Sequence, residues 1–97
     1  MSILLFNKLY SSINYPELLY YKDPIESNIN KYISSNKLSD SQILSLYMKL
    51  IQYIDNPDII VPNKIKEVID PIRNYSDFTI VTKQKFIHLL YLSRKYK

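Results

Sequence analysis

The chain has 97 residues, no cysteine, no glycine, one histidine and a formal net charge of +4. Without cysteine there is no disulfide framework, thiolate nucleophile or thiolate-held metal, and a lone histidine excludes a multi-histidine centre within the chain. The missing glycine also excludes the phosphate-cradling loops of P-loop and dinucleotide-binding proteins, whose backbones approach phosphate only where a side chain is absent.

The length suits one domain, residues 1–97, built around a single core. Charge is uneven. Residues 1–60 carry five Lys/Arg against six Asp/Glu, and residues 61–97 carry eight against three. A basic C-terminal third points to an acidic partner, a membrane surface or nucleic acid, set against the plain alternative of a solvated surface. The apolar run Ile3–Phe6 is short and follows no basic residue, so no signal peptide is visible. No apolar run approaches the ~20 residues of a membrane span. A cytoplasmic protein is expected, with peripheral contact at the inner face of the membrane as its one route to lipid.

In chain order, Ser2 can cap a first helix over 2–14, in which Phe6, Leu9, Tyr10 and Ile13 follow one helical stripe. Asn14 and the Tyr15-Pro16 step should end it, because the residue before proline resists the helical region. Pro16 can restart a short turn through Glu17–Tyr21. A second helix is expected over 23–35, with Asp23 as cap, Pro24 at the first helical position and Ile25, Ile29, Tyr32 and Ile33 inward.

The strongest pattern is Ser39–Asn56, which predicts a helix over 39–55. Ser45, Lys49, Gln52 and Asn56 fall on one narrow stripe in an otherwise apolar run. A helix wet along one stripe has to be covered elsewhere, so this is the expected central helix, with Tyr47, Leu50 and Ile54 at the centre of the core. Ser39 and Gln42 read as a capping box, and Leu38 can staple onto Ile43.

A fourth helix over 62–73 carries Ile65, Val68, Ile69 and Ile72, with a kink or early end expected at Pro71. Asp58–Val61 and Phe78–Val81 look extended. They could pair as a ribbon, but an isolated ribbon is marginal, and tucking into the core is the favoured expectation. Thr82 is expected to cap a last helix over 82–96, with Val81 stapled onto Phe86, and Phe86, Ile87, Leu89 and Leu90 inward. Asn14, Asn36, Asn56 and Asn74 each close a helical stretch and read as left-handed stop residues in a chain without glycine. Short loops should set neighbouring helices antiparallel, and the fold class is all-α, an antiparallel bundle of four to five helices.

Catalysis has little to work with. His88 has no carboxylate nearer in sequence than Asp77, and a nucleophile, base and orienting group have to converge. Asp55, Asp58 and Asp70 lack metal-loop spacing, and no cofactor is implied. No enzyme is expected. The outward side of the last helix is different: Gln84, His88, Tyr91 and Lys95 lie along it, followed by Arg94 and Tyr96. Exposed tyrosine beside arginine is the composition of a protein-binding hot spot, so these six are the candidate partner-binding residues. Lys83, Lys85, Arg94, Lys95 and Lys97 interleaved with Tyr91 and Tyr96 also fit nucleic acid, although no helix-turn-helix turn is recognisable.

Two stretches carry a resemblance. Phe6-Asn7-Lys8-Leu9-Tyr10-Ser11-Ser12-Ile13 resembles the opening helix of enterocin A-type bacteriocin immunity proteins. Val81-Thr82-Lys83-Gln84-Lys85-Phe86-Ile87-His88-Leu89-Leu90 is similar to their capped last helix. The resemblance implies an intracellular, basic, four-helix protein that shields a producer cell from its own pore-forming peptide. It also implies action at a membrane receptor or receptor–peptide complex, with the C-terminal part setting specificity. Pro57–Tyr75 adds a helix that this pattern does not require. Two alternatives stand beside it: a phage- or virus-encoded inhibitor of a host protein, and a small basic nucleic-acid-binding protein.

Overall fold

A computed structural model describes residues 18–96, and its four helices are α1 (Leu19–Asn36), α2 (Asp40–Asp55), α3 (Asn63–Arg73) and α4 (Ile80–Lys95). There is no strand among the described residues. The expected helix over 2–14 lies outside them. The fold is an all-α bundle made of two antiparallel pairs. Asn28 on α1 donates to the Lys64 carbonyl at the start of α3, and Tyr21 meets Tyr75 just past its end. Likewise Gln84 near the start of α4 donates to the Ile51 carbonyl near the end of α2, and Tyr91 meets Tyr47 further along.

The core lies between these pairs. Ile25, Ile29 and Ile33 from α1 and Ile65, Ile69 and Ile72 from α3 are buried with Leu46, Tyr47, Leu50, Tyr53 and Ile54 from α2 and Phe86, Ile87, Leu89 and Leu90 from α4. The expected centre of Tyr47, Leu50 and Ile54 is among them. Each helix contributes residues at three- and four-residue steps, so the periodicity of the sequence translates directly into one shared interior.

The connection between α2 and α3 departs from a short antiparallel turn. Tyr53, near the end of α2, bonds to Asp70 and Arg73 near the end of α3, so the two helices run in the same sense. Residues 56–62 therefore return along α2, burying Val61 and half-burying Ile59 while Ile60 points to water. The extended reading of 58–61 fails in its first half: residues 57–59 form a turn closed by the Ile59 amide on the Asn56 carbonyl at 3.2 Å, and no partner strand is present among the described residues. Phe78 stacks on Tyr75 with ring centroids 5.0 Å apart, whereas Ile80 and Val81 belong to α4.

Several boundaries moved for identifiable reasons. α1 begins at Leu19, not Asp23, and Pro24 sits inside it. Leu18 is fully buried and lies seven residues before Ile25, so burial draws the preceding turn into the helix. Pro24 leaves the Tyr20 carbonyl without a helical donor, but on an exposed turn where water can replace it. Similarly α3 continues through Pro71 and ends at Arg73.

α4 begins at Ile80, and its cap is Thr79, not Thr82. Thr79 Oγ1 accepts from the Thr82 amide at 3.1 Å. Val81 is 72% exposed and staples nothing. The earlier start brings Lys83 inside, where its ammonium donates to the Arg73 carbonyl at 2.8 Å and the residue is only 5% exposed. The expected narrow wet stripe on α2 is also wider than its polar residues: Leu44 and Met48 are 43% and 46% exposed.

Asn36, Asn56 and Asn74 do stand at helix ends, but none is left-handed. Lys37 takes that conformation (φ 48°), and Asn56 and Asn74 do not. The Leu38 amide bonds the Ile33 carbonyl and the Lys37 amide bonds the Ser34 carbonyl, closing a Schellman turn in which Ile33 is buried and Leu38 packs against the core. The asparagines act through their side chains instead: Asn36 Nδ2 donates to the Tyr32 carbonyl at 2.9 Å, and Asn56 Oδ1 accepts from the Asp58 amide at 3.0 Å. Asn14 lies outside the described residues. The start of α2 follows expectation: Ser39 and Gln42 satisfy each other's amides as a capping box.

Two outcomes follow. A left-handed lysine carries a steric cost that glycine avoids, so Lys37→Gly should stabilise the protein by about 0.5–1 kcal/mol in chemical unfolding. No gain would mean that the turn is not a source of strain. Tyr53 is buried and donates to Asp70, and burial, with Asp70, raises its pKa to about 12. Its bond therefore contributes fully below pH 10, the ordinary tyrosine value, and is lost as pH rises toward 12. Tyr53→Phe should cost about 1–2 kcal/mol at pH 7, with the difference from wild type shrinking above pH 10.

Candidate functional site

α4 is fixed at its first turn by Lys83 on the end of α3 and Gln84 on α2. With both faces pinned, helical geometry carries Tyr91, Arg94 and Lys95, two to three turns later, back beside the start of α2. There they meet Asp40 and Ile43 around an open pocket of about 490 Å³. Charged and apolar side chains both line it.

The pocket's aromatic wall is braced from within. Tyr91 is half-buried, its ring 5.2 Å from that of buried Tyr47, so it has a neighbour to pack on that the outward stripe of α4 did not reveal. The Lys95 ammonium lies 6.0 Å from the Tyr91 ring centre and 5.3 Å from that of Tyr96. A cation held over two ring faces keeps its charge at the surface in a restricted position. Arg94 Nη1 donates to Asn30 Oδ1 on α1, fixing one edge of the guanidinium.

Arg94 also lines a second, smaller cavity of about 60 Å³, with Glu26, Asn30, Tyr47, Leu90 and Ser93. Burial raises the Tyr47 pKa to about 12, with Arg94 opposing the shift and Glu26 adding to it. Tyr47 therefore stays neutral through the physiological range and contributes a ring and a hydroxyl to the site, not a charge. Lys22 lies 2.7 Å from Glu26 Oε1 as an i,i+4 ion pair, which balances the carboxylate although that oxygen has no hydrogen bond aimed at it.

Of the six candidate residues, Tyr91, Arg94 and Lys95 come together in the pocket. Tyr96, 48% exposed, sits beneath Lys95. Gln84 and His88 do not line it; Gln84 is engaged with the Ile51 carbonyl at 3.0 Å, and His88 is exposed. Asp40 and Ile43 complete the walls, and of these the sequence singled out only Ile43, as the residue onto which Leu38 can staple. Their signal, the antiparallel pairing of α2 with α4, is not written in either helix alone.

The basic residues of the C-terminal third do not form one stripe. Lys83 is buried on the Arg73 carbonyl, and burial, with Arg73 beside it, lowers its pKa. Arg73 is itself turned inward, its Nε on the Tyr53 carbonyl at 3.0 Å and its guanidinium 5.3 Å from the Tyr53 ring centre. Lys64 and Lys66 stand on α3, apart from Lys85 and Lys95 on α4. No group of three or more His, Cys, Asp or Glu placed to hold a metal occurs among the described residues. None of the described helices is long and apolar enough to cross a membrane.

Compared with protein families, with curated proteins and with solved structures, the chain matches none.

Tyr91→Ala removes a braced, half-buried ring and should lower stability by about 1–2 kcal/mol. His88→Gln, on an exposed turn, should change it by about 0.5 kcal/mol or less. Urea unfolding of both variants checks this, and equal effects would mean that the Tyr91 ring packs on nothing.

Proposed function

We propose that this chain is a non-enzymatic binding protein of the bacteriocin-immunity kind, acting in the cytoplasm through the end of its last helix on a protein partner at the membrane receptor. One observation carries the reading. Tyr91, Arg94 and Lys95, singled out as a hot-spot composition, border a single pocket whose aromatic wall is already held in place by Tyr47. Pre-ordered aromatic and guanidinium groups lose little freedom on binding, which favours recognition over chemistry. The similarity of the Phe6–Ile13 and Val81–Leu90 segments to enterocin A-type immunity proteins supplies the particular role.

The nucleic-acid alternative is weakened by the dispersal of the basic residues, because a polyanion is held by charges that follow its backbone. A host-protein inhibitor would use the same surface.

Expression in a strain sensitive to enterocin A-type peptides tests the reading, alongside a DNA mobility shift over a range of salt. Protection without a shift is expected. A shift that weakens steeply with salt, without protection, would establish nucleic-acid binding instead. Neither result would leave the inhibitor.

A further inference from the structure

The pocket between the start of α2 and the end of α4 has a definite chemical asymmetry, which identifies what it can receive. Arg94 and Lys95 form one side, and Ile43 and the Tyr91 ring supply apolar surface. Asp40 lies across from the cations without an ion pair to either: Lys22–Glu26 is the one salt bridge among the described residues. Both cations are positioned, Arg94 through Asn30 and Lys95 over Tyr91 and Tyr96, and neither forms a salt bridge with a carboxylate of the described residues, Glu26 sharing only a small neighbouring cavity with Arg94. Charges left unpaired in a shaped recess attract an opposite charge more effectively than the same charges spread on an open surface.

We propose that this pocket binds an acidic segment of a protein partner, with a carboxylate between Arg94 and Lys95 and a neighbouring apolar side chain against Ile43 and Tyr91. The proposal rests on the binding role assigned to the end of α4 and specifies the partner's chemistry. A guanidinium presents paired donors that match a carboxylate, and the ammonium beside it adds a second charge. The volume of about 490 Å³ accommodates a few side chains, not a folded surface.

Two other anionic occupants fit less well. A phosphodiester backbone would bring successive charges past Asp40, while Lys31 and Lys64 line a different pocket and Lys83 is buried. An anionic bilayer would need fully exposed apolar side chains to insert beside the cations, yet Ile43 and Tyr91 in the pocket are half-buried and the exposed Ile80 and Val81 stand at the opposite end of α4.

The experiment is a titration of isotope-labelled full-length protein with four probes. These are a capped peptide of alternating leucine and glutamate, its lysine counterpart, phosphatidylglycerol vesicles and a short DNA duplex. Saturable amide shifts at Asp40–Ile43 and Tyr91–Lys95 are expected with the acidic peptide, weakening as salt is raised. The lysine peptide should leave those amides unmoved. Lys95→Glu should abolish the response, with the remaining spectrum reporting an intact fold. Asp40→Asn, which removes the competing carboxylate, should tighten binding about two- to fivefold.

No response at these amides, an equal response to the lysine peptide, or a stronger one to vesicles or DNA would overturn the proposal. So would weaker binding by Asp40→Asn in a folded protein. Failure here is separable from failure of the immunity reading. Protection that survives Lys95→Glu refutes the acidic-segment site alone, whereas peptide binding without protection refutes the immunity role and leaves the pocket standing.

Discussion

The structure depends on a cation placed inside it. Lys83 is buried with its ammonium on the carbonyl of Arg73, where the end of α3 exposes acceptors that its own helix cannot satisfy. Burial opposes the charged form, while the helix end and its oxygen favour it. Around this bond the neighbouring groups close in turn: Arg73 holds the Tyr53 carbonyl, and Tyr53 donates to Asp70. One polar junction thereby joins the last turns of α2 and α3 to the first turn of α4.

That junction has a consequence at the other end of the bundle. It fixes both where α4 starts and how it is rotated, and Gln84 adds a second point of attachment to α2. A helix held at two adjacent residues cannot turn about its axis without breaking one of the bonds. Tyr91, Arg94 and Lys95 therefore face the start of α2 as a result of bonds made two to three turns away. The pocket is a product of the fold's register, not of the local sequence around it.

The bundle also shows how a chain without glycine makes its turns. Lys37 accepts the left-handed conformation because two backbone bonds close the Schellman turn and Leu38, just beyond it, packs against the core. The other helix ends avoid positive φ: backbone bonds close the ends of α2 and α3, and Asn56 Oδ1 accepts from the Asp58 amide just beyond α2. Between α2 and α3, a seven-residue return replaces a tight turn and sets the two helices in the same sense.

The sequence by itself determined the helical class, the approximate spans of α2 and α3, the capping box at Ser39 and the buried isoleucines of α1 and α3. These depend on neighbours within one or two turns, and such local relations are written in residue spacing. It also marked Tyr91, Arg94 and Lys95 as a group, because composition is local too. Only the tertiary structure decided that α1 takes in Leu19 and Pro24, that Lys83 turns inward, and that Thr79 caps α4. In each case burial or a bond to a distant element outweighed a local preference of about 1 kcal/mol, or a few for proline. Asp40 and Ile43 joined the site for the same reason: they lie about 50 residues from Lys95 in the chain, and only the packing of α2 against α4 brings them together.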